Sequence, residues 1–161
     1  MGIGKVIKVI VRFKEMFWKK DAGFFFSEEA FPTWWTQLPD KTPLLTGWAG
    51  GPKAAQLEHH NDAALLEIAL QSLSHIFDIP VSELKNNLAA SFVANWQAAE
   101  TGLYGYSYST LESAAARRLL REPVNHAIWF CGEALYEGED PGTVEAALVS
   151  GKDVAGRMLG G

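Results

Sequence analysis

Across residues 5–13 polar and apolar positions alternate. Lys5, Ile7, Val9, Val11 and Phe13 share one face of an extended segment, and Val6, Lys8, Ile10 and Arg12 share the other. That period of two, with its β-branched content, predicts a strand. Phe24-Phe25-Phe26, residues 33–38 and residues 44–50 predict three more, punctuated by Pro39-Asp40 and Thr42-Pro43 and closed by Gly50-Gly51-Pro52. Consecutive strands joined by short turns predict antiparallel pairing. The period then changes. After a short helical piece at 53–57, residues 63–77 carry Leu65, Leu66, Ala69, Leu73, Ile76 and Phe77 as an apolar helical stripe, with Asn61 or Asp62 as its cap. Asp78-Ile79-Pro80 stops this helix, and a short one follows at 81–84. Residues 88–96 return to strand character, and 114–120 form a short helix candidate. Ile128-Trp129-Phe130-Cys131 reads as a buried strand ended by Gly132-Glu133. Asp140-Pro141 then reads as the cap and first residue of a last helix, with Val144, Ala147, Leu148, Gly151, Ala155, Met158 and Leu159 as its apolar face. The expected fold class is α+β: an antiparallel or mixed sheet with packed helices, then a C-terminal strand–loop–helix. Such a unit can offer free backbone N–H groups and a positive dipole end to an anion or an electron-rich ring. It can equally be a packing unit, and the pattern alone leaves both open.

Composition narrows the function classes. The chain has 161 residues, of which 48% are apolar, enough for a real core. A net charge of -5 and a pI near 5.3 argue against non-specific nucleic-acid binding. One cysteine excludes an internal disulfide framework and a cysteine-based zinc site. Lysines interrupt the apolar residues at the start, giving no signal-peptide pattern, and no apolar run approaches a membrane span. The expectation is a cytoplasmic protein with no nucleic-acid or membrane partner. His59-His60 with Asp62 invites a metal reading, but adjacent helical residues do not share a face and a structural zinc needs four ligands. No metal is expected. By pattern, Lys8 and Arg12 belong to a solvated strand face, Trp34, Trp35 and Trp48 to core or pocket, and Arg117, Arg118 and Arg121 to a solvated basic face rather than a phosphate site.

Three blocks carry a resemblance. Phe130-Cys131-Gly132-Glu133-Ala134, followed by Gly142-Thr143-Val144-Glu145-Ala146-Ala147 and Ser150-Gly151, resembles the C-terminal flavin-contacting segment of the flavin-containing amine oxidases, the monoamine and polyamine oxidase family. That family reads roughly F-A-G-E, a loop, then G-T-V-x-G-A-x-x-S-G, and Ala146 stands where it has its second glycine. Residues 4–18, from Gly4-Lys5-Val6-Ile7-Lys8 to Phe17-Trp18, resemble its G-x-V-I-K-x-x-x-x-F/Y-x-x-x-F-W segment. Trp96 followed by Gly102-Leu103-Tyr104-Gly105-Tyr106-Ser107 is similar to its W-x(n)-G-x-Y-S segment. The strand at 44–50, with Gly51, looks like the one preceding the long helices of the family's substrate domain.

The resemblance implies an oxidoreductase that takes an amine to an imine with FAD and oxygen, and it implies roles. Lys8 holds a water against flavin N5. Tyr104, with Trp96 behind it, forms an aromatic wall against the flavin face. Gly132 and Glu133 meet the ribityl–pyrophosphate region, with Glu133 accepting from a ribose or ribityl hydroxyl or else orienting backbone. Gly142, Thr143 and Val144 bring N–H groups to the N1–C2 edge. Leu103 replaces the cysteine that some members bond to flavin, so any FAD is held non-covalently. No G-x-G-x-x-G follows a strand here. The expected division is residues 1–100 as substrate-domain portion and 101–161 as flavin-contacting segment, with the dinucleotide-binding portion absent. The expected partners are a small-molecule amine and an N-terminal FAD-binding chain, or self-association. The alternative is a non-catalytic remnant or interaction module.

Overall fold

In the computed structural model, residues 1–96 and 105–160 are described. They form two compact units: residues 5–96, and residues 1–4 with 105–160.

The first unit is built on β2 (Val6–Phe13). It pairs antiparallel with β5 (Leu44–Gly50) on one side and β6 (Leu88–Asn95) on the other. β4 (Thr33–Trp35) and β3 (Phe24–Phe26) extend the sheet, whose order is β3-β4-β5-β2-β6. Every pairing is antiparallel, as the short connections predict for β3, β4 and β5, while β2 pairs with strands distant in sequence. The alternation read in the sequence decides the faces. Ile7, Val9, Val11 and Phe13 are buried with Leu45, Ala49 and Trp34. Their core is shared with Leu65, Ala69, Leu70 and Leu73 of α2 (Asp62–Phe77) and with Leu84 of α3 (Val81–Asn87). Each buried Val, Leu, Ile or Phe among them contributes about 1.5–3 kcal/mol by leaving water. Gly47 is required here: a Cβ on it would lie 2.7 Å from the Trp34 ring, which occupies that space. Trp34 Nε1 donates to the Phe31 carbonyl at 3.0 Å, so the buried indole keeps no unmet donor.

α2 begins where Asn61 Oδ1 accepts from Ala64 N at 2.9 Å. It ends at Asp78, whose left-handed φ of 53° turns the chain before Pro80. α1 (Pro52–Leu57) is the predicted short piece.

The second unit holds the ribbon of β1 (Gly2–Ile3) and β7 (Ser107–Tyr108), then α4 (Ser113–Arg121), a 3-10 turn (Glu133–Leu135) and α5 (Val144–Met158). Here the sequence reading is corrected three times. Residues 128–131 are no strand. Ile128 bridges Val124 across a tight turn through Asn125 and His126, both at positive φ, and residues 129–131 run on without a ladder. No neighbouring strand stands beside them among the described residues, and Ile128 and Phe130 are exposed. Secondly, Asp140-Pro141 does not open the last helix. Gly142, with φ 80°, lies between, and Thr143 caps α5 by accepting from Ala146 N at 3.1 Å. Thirdly, the apolar stripe of α5 is not its buried side. Ala146 and Val154 are buried, whereas Val144 and Leu159 are 72% and 88% exposed. The 3-10 turn packs on the helix's other side, so the helical period located a stripe but not its partner.

Candidate functional site

The sheet has a second face, opposite the helices. Cross-strand partners in an antiparallel sheet point the same way, so the register assembles it. Lys8 stands between Trp48 and Ala94, Ile10 between Thr46 and Phe92, and Arg12 between Leu44 and Ala90. Thr33 and Trp35 of β4 continue this face beside Trp48 and Thr46, and Phe24 and Phe26 of β3 end it. Lys8 is therefore not on a solvated polar strand face. It is half-buried, with Nζ 6.0 Å from the centre of the Trp35 ring, a cation–π arrangement. From Trp35 the aromatic file continues to Phe24, with ring centres 6.5 Å apart, and then to Phe26, stacked at 6.0 Å. Thus Trp34 is core while Trp35 and Trp48 line the open face. Trp96 follows β6 directly and is 44% exposed, closing a shallow cavity of about 200 Å³ with Phe92 and Ala94. Tyr104 and Leu103 lie outside the described residues.

The second cluster belongs to the C-terminal unit, and Glu133 is its centre. One carboxylate oxygen accepts from Ser107 N at 2.9 Å; the other accepts from Ser107 Oγ at 2.9 Å and from Gly142 N at 3.1 Å. Glu133 thereby ties β7 to the turn that leads into α5, the backbone-orienting alternative of the sequence reading, with partners that the sequence did not name. A carboxylate has about four acceptor sites, and three are used. Gly132 has φ 145°, with open space where a Cβ would be, and its N–H donates to Ser150 Oγ at 3.1 Å. Gly142 lies against Tyr106: a Cβ there would stand 3.3 Å from the tyrosine Cβ. Thr143 Oγ1 donates to the Asp140 carbonyl at 2.9 Å as it caps the helix. The structure thus brings together Gly132, Glu133, Gly142, Thr143 and Val144.

A flavin's electron-rich pyrimidine edge fits part of this cluster. The Val144 and Glu145 N–H groups, in the first turn of α5, have no partner among the described residues, and the helix dipole favours negative charge there. The Ala146 methyl is buried, so it occupies no space at that open end. The three bonds already held by Glu133 fit an orienting role better than a purely flavin-accepting one.

Several remaining candidates have partners within the chain. Arg117 donates to the Ala134 carbonyl at 2.8 Å and to Ser109 Oγ at 3.1 Å, and Arg121 pairs with Glu137. His59 lies 3.4 Å from Glu58, and His60 Nδ1 lies 3.2 Å from the Leu57 carbonyl. Among the described residues no three His, Cys, Asp or Glu side chains converge on a metal position. Lys5 hydrogen-bonds Glu58 and holds its carboxyl below the usual glutamate range, with a further pull from His59.

Comparison with known proteins gives this geometry a family. Over 99% of its length the chain is 25% identical to the lysine-specific histone demethylase 1 homolog 3 of Arabidopsis thaliana, of which it covers 10%. Its fold is similar to that of cyclohexylamine oxidase from Brevibacterium oxydans IH-35A, with a TM-score of 0.76 at 20% identity, over 96% of this chain and 35% of that one. The chain therefore spans about a tenth and about a third of the lengths of these two proteins. The model of the flavin containing amine oxidoreductases matches residues 1–159, and the chain belongs to that family.

Proposed function

We propose that this chain is the C-terminal part of an FAD-dependent amine oxidase, carrying one wall of the amine site and the cofactor-contacting helix terminus. The carrying observation is Lys8: a lone ammonium in mid-sheet, half-buried beside Trp35 on an aromatic face. Desolvating a lysine is costly, and a charge kept in such a place suits a chemical task. Bound FAD would supply the two-electron acceptor, taking a hydride from the amine to leave an imine, with oxygen as final oxidant yielding hydrogen peroxide. Lys8 would hold a water by donating from Nζ, and its charge would favour electron transfer to oxygen. Trp96, with Tyr104, would exclude water from the amine. Gly132 would give the cofactor room, and Gly142, Thr143 and Val144 would aim backbone N–H groups at the ring edge where negative charge collects.

A dinucleotide-binding portion would come from a longer chain or from a partner. Mixing the chain with a family N-terminal portion and FAD tests the proposal. Flavin retained on gel filtration and amine-dependent peroxide are expected. In the reconstituted enzyme, Lys8→Met should slow flavin reoxidation by oxygen at least tenfold with little change in stability; unchanged reoxidation removes the role of Lys8. A second reading rests on a different observation, the exposed apolar stripe of α5 with Val144, Leu148 and Leu159. In that reading the chain is a non-catalytic module whose stripe docks a partner, and the mixture then forms a complex without turnover.

A further inference from the structure

The helix side of the sheet carries a cavity that the proposed chemistry does not use. It has a volume of about 400 Å³ and opens where the chain leaves β2 and where α3 ends. Its floor is apolar, made by Met16, Phe17, Ile79 and the buried Leu84. Two exposed carboxylates, Glu15 and Glu83, stand at its rim. We infer that this cavity binds a small organic cation, an ammonium or guanidinium group carried on an apolar body. Phe17 and Leu84 pack on the core shared with the helices, so the site lies on the other side of the sheet from Lys8. The inference does not rest on the role given to that lysine.

Three observations carry it. The cavity is held open by a hydrogen-bonded bracket. Glu15 N donates to Asn87 Oδ1 at 3.0 Å, Asn87 Nδ2 donates back to the Glu15 carbonyl at 2.9 Å, and Lys14 N donates to the Asn87 carbonyl at 2.8 Å. Glu83 and Asn87 are four apart on α3 and share a face, so the bracket that fixes Asn87 also sets Glu83 beside the opening. The second observation is the balance of charge. Among the described residues one cation lines the cavity, Lys14, and its Nζ donates to the Asn86 carbonyl at 2.7 Å. It thereby caps the last carbonyls of α3 and answers the negative end of that helix. Lys85, the cation within α3, is paired with Glu67 at 2.8 Å. Glu15 and Glu83 have no such partner among the described residues, and together they attract a cation and repel an anion of the same shape. The third is the wall. The Phe17 ring is fixed by edge-on contacts with Phe13, Trp18 and Phe77 at 4.9, 4.9 and 5.1 Å. A fixed aromatic ring favours a cation near its face, and the Met16 thioether beside it adapts to an apolar body.

The test uses the whole chain without flavin and reads the cavity through its own methionine. The Met16 methyl signal, assigned with Met16→Leu, is followed by NMR during titration with benzyltrimethylammonium and separately with phenylacetate. A saturable shift of the Met16 methyl with the cation is expected, with the Met1 and Met158 methyls unmoved and phenylacetate binding at least tenfold more weakly. The double variant Glu15→Gln, Glu83→Gln changes two exposed side chains and keeps the bracket, which uses the Glu15 backbone. It should weaken the cation at least fivefold, a modest loss suited to carboxylates that face water. A Met16 methyl that does not move with benzyltrimethylammonium overturns the inference. So does phenylacetate that binds as tightly as the cation, or a double variant whose affinity for the cation is unchanged.

Discussion

Replacing Glu133 by Ala tests how the C-terminal cluster is held. The carboxylate accepts three hydrogen bonds, two from Ser107 and one from Gly142. Each is worth about 0.5–1.5 kcal/mol net, more when the acceptor is charged. Glu133 is half-buried, so solvent replaces part of each bond. A loss of about 2–3 kcal/mol in the local stability of the β7–α5 junction follows. At about 1.4 kcal/mol per factor of ten, amide exchange at Ser107 and Gly142 should accelerate roughly 30- to 150-fold. Glu133→Gln keeps one carbonyl oxygen and puts an NH2 group where the other oxygen accepted, so it should fall between the two. Exchange measured on the flavin-free chain reads this directly, with Leu65 or Val9 amides in the other unit as unchanged internal controls. If both Ser107 and Gly142 exchange at unaltered rates while flavin retention by the reconstituted enzyme falls, the bracket is wrong and Glu133 acts directly on the cofactor.

Other residues give independent checks. Gly132→Ala should cost about 1–3 kcal/mol in denaturant unfolding of the C-terminal unit, all of it backbone strain at φ 145°, because nothing lies within 4 Å of the added methyl. Trp34→Ala should cost about 3–5 kcal/mol, since the ring is fully buried and Gly47 leaves a cavity opposite it. Asn61→Ala should remove about 1 kcal/mol by uncapping α2, and Asn61→Asp should restore most of it. The Lys5–Glu58 pair sets a pH dependence. The folded Glu58 pKa is lowered, so its contribution is fully present above the unfolded value near 4.5 and fades as pH falls through the lower folded value. Lys5→Met should flatten the stability profile below pH 4.5 and leave it parallel to wild type near neutrality; no change in the acid limb would refute the pairing.

The residues that could be read correctly from sequence are those whose partners are local. The alternation of residues 5–13 determined both the strand and its two faces, because a period of two separates Val9 from Lys8 wherever the strand lies. The stripe of α2 and its Asn61 cap were equally legible, since cap and helix are joined by one hydrogen bond within three residues. The three motif blocks located the family and the cluster from Gly132 to Val144. Tertiary structure decided the rest. Four strands brought together from residues 8 to 94 made Lys8 a cation on an aromatic wall instead of a solvated charge, and no local pattern contains that register. Glu133 found Ser107 at a separation of 26 residues, a bond invisible to spacing. Residues 128–131 kept their apolar letters without becoming a strand, because a strand is a pairing and not a composition. The helical period of α5 likewise marked an apolar stripe, but which side of a helix is buried depends on what stands beside it.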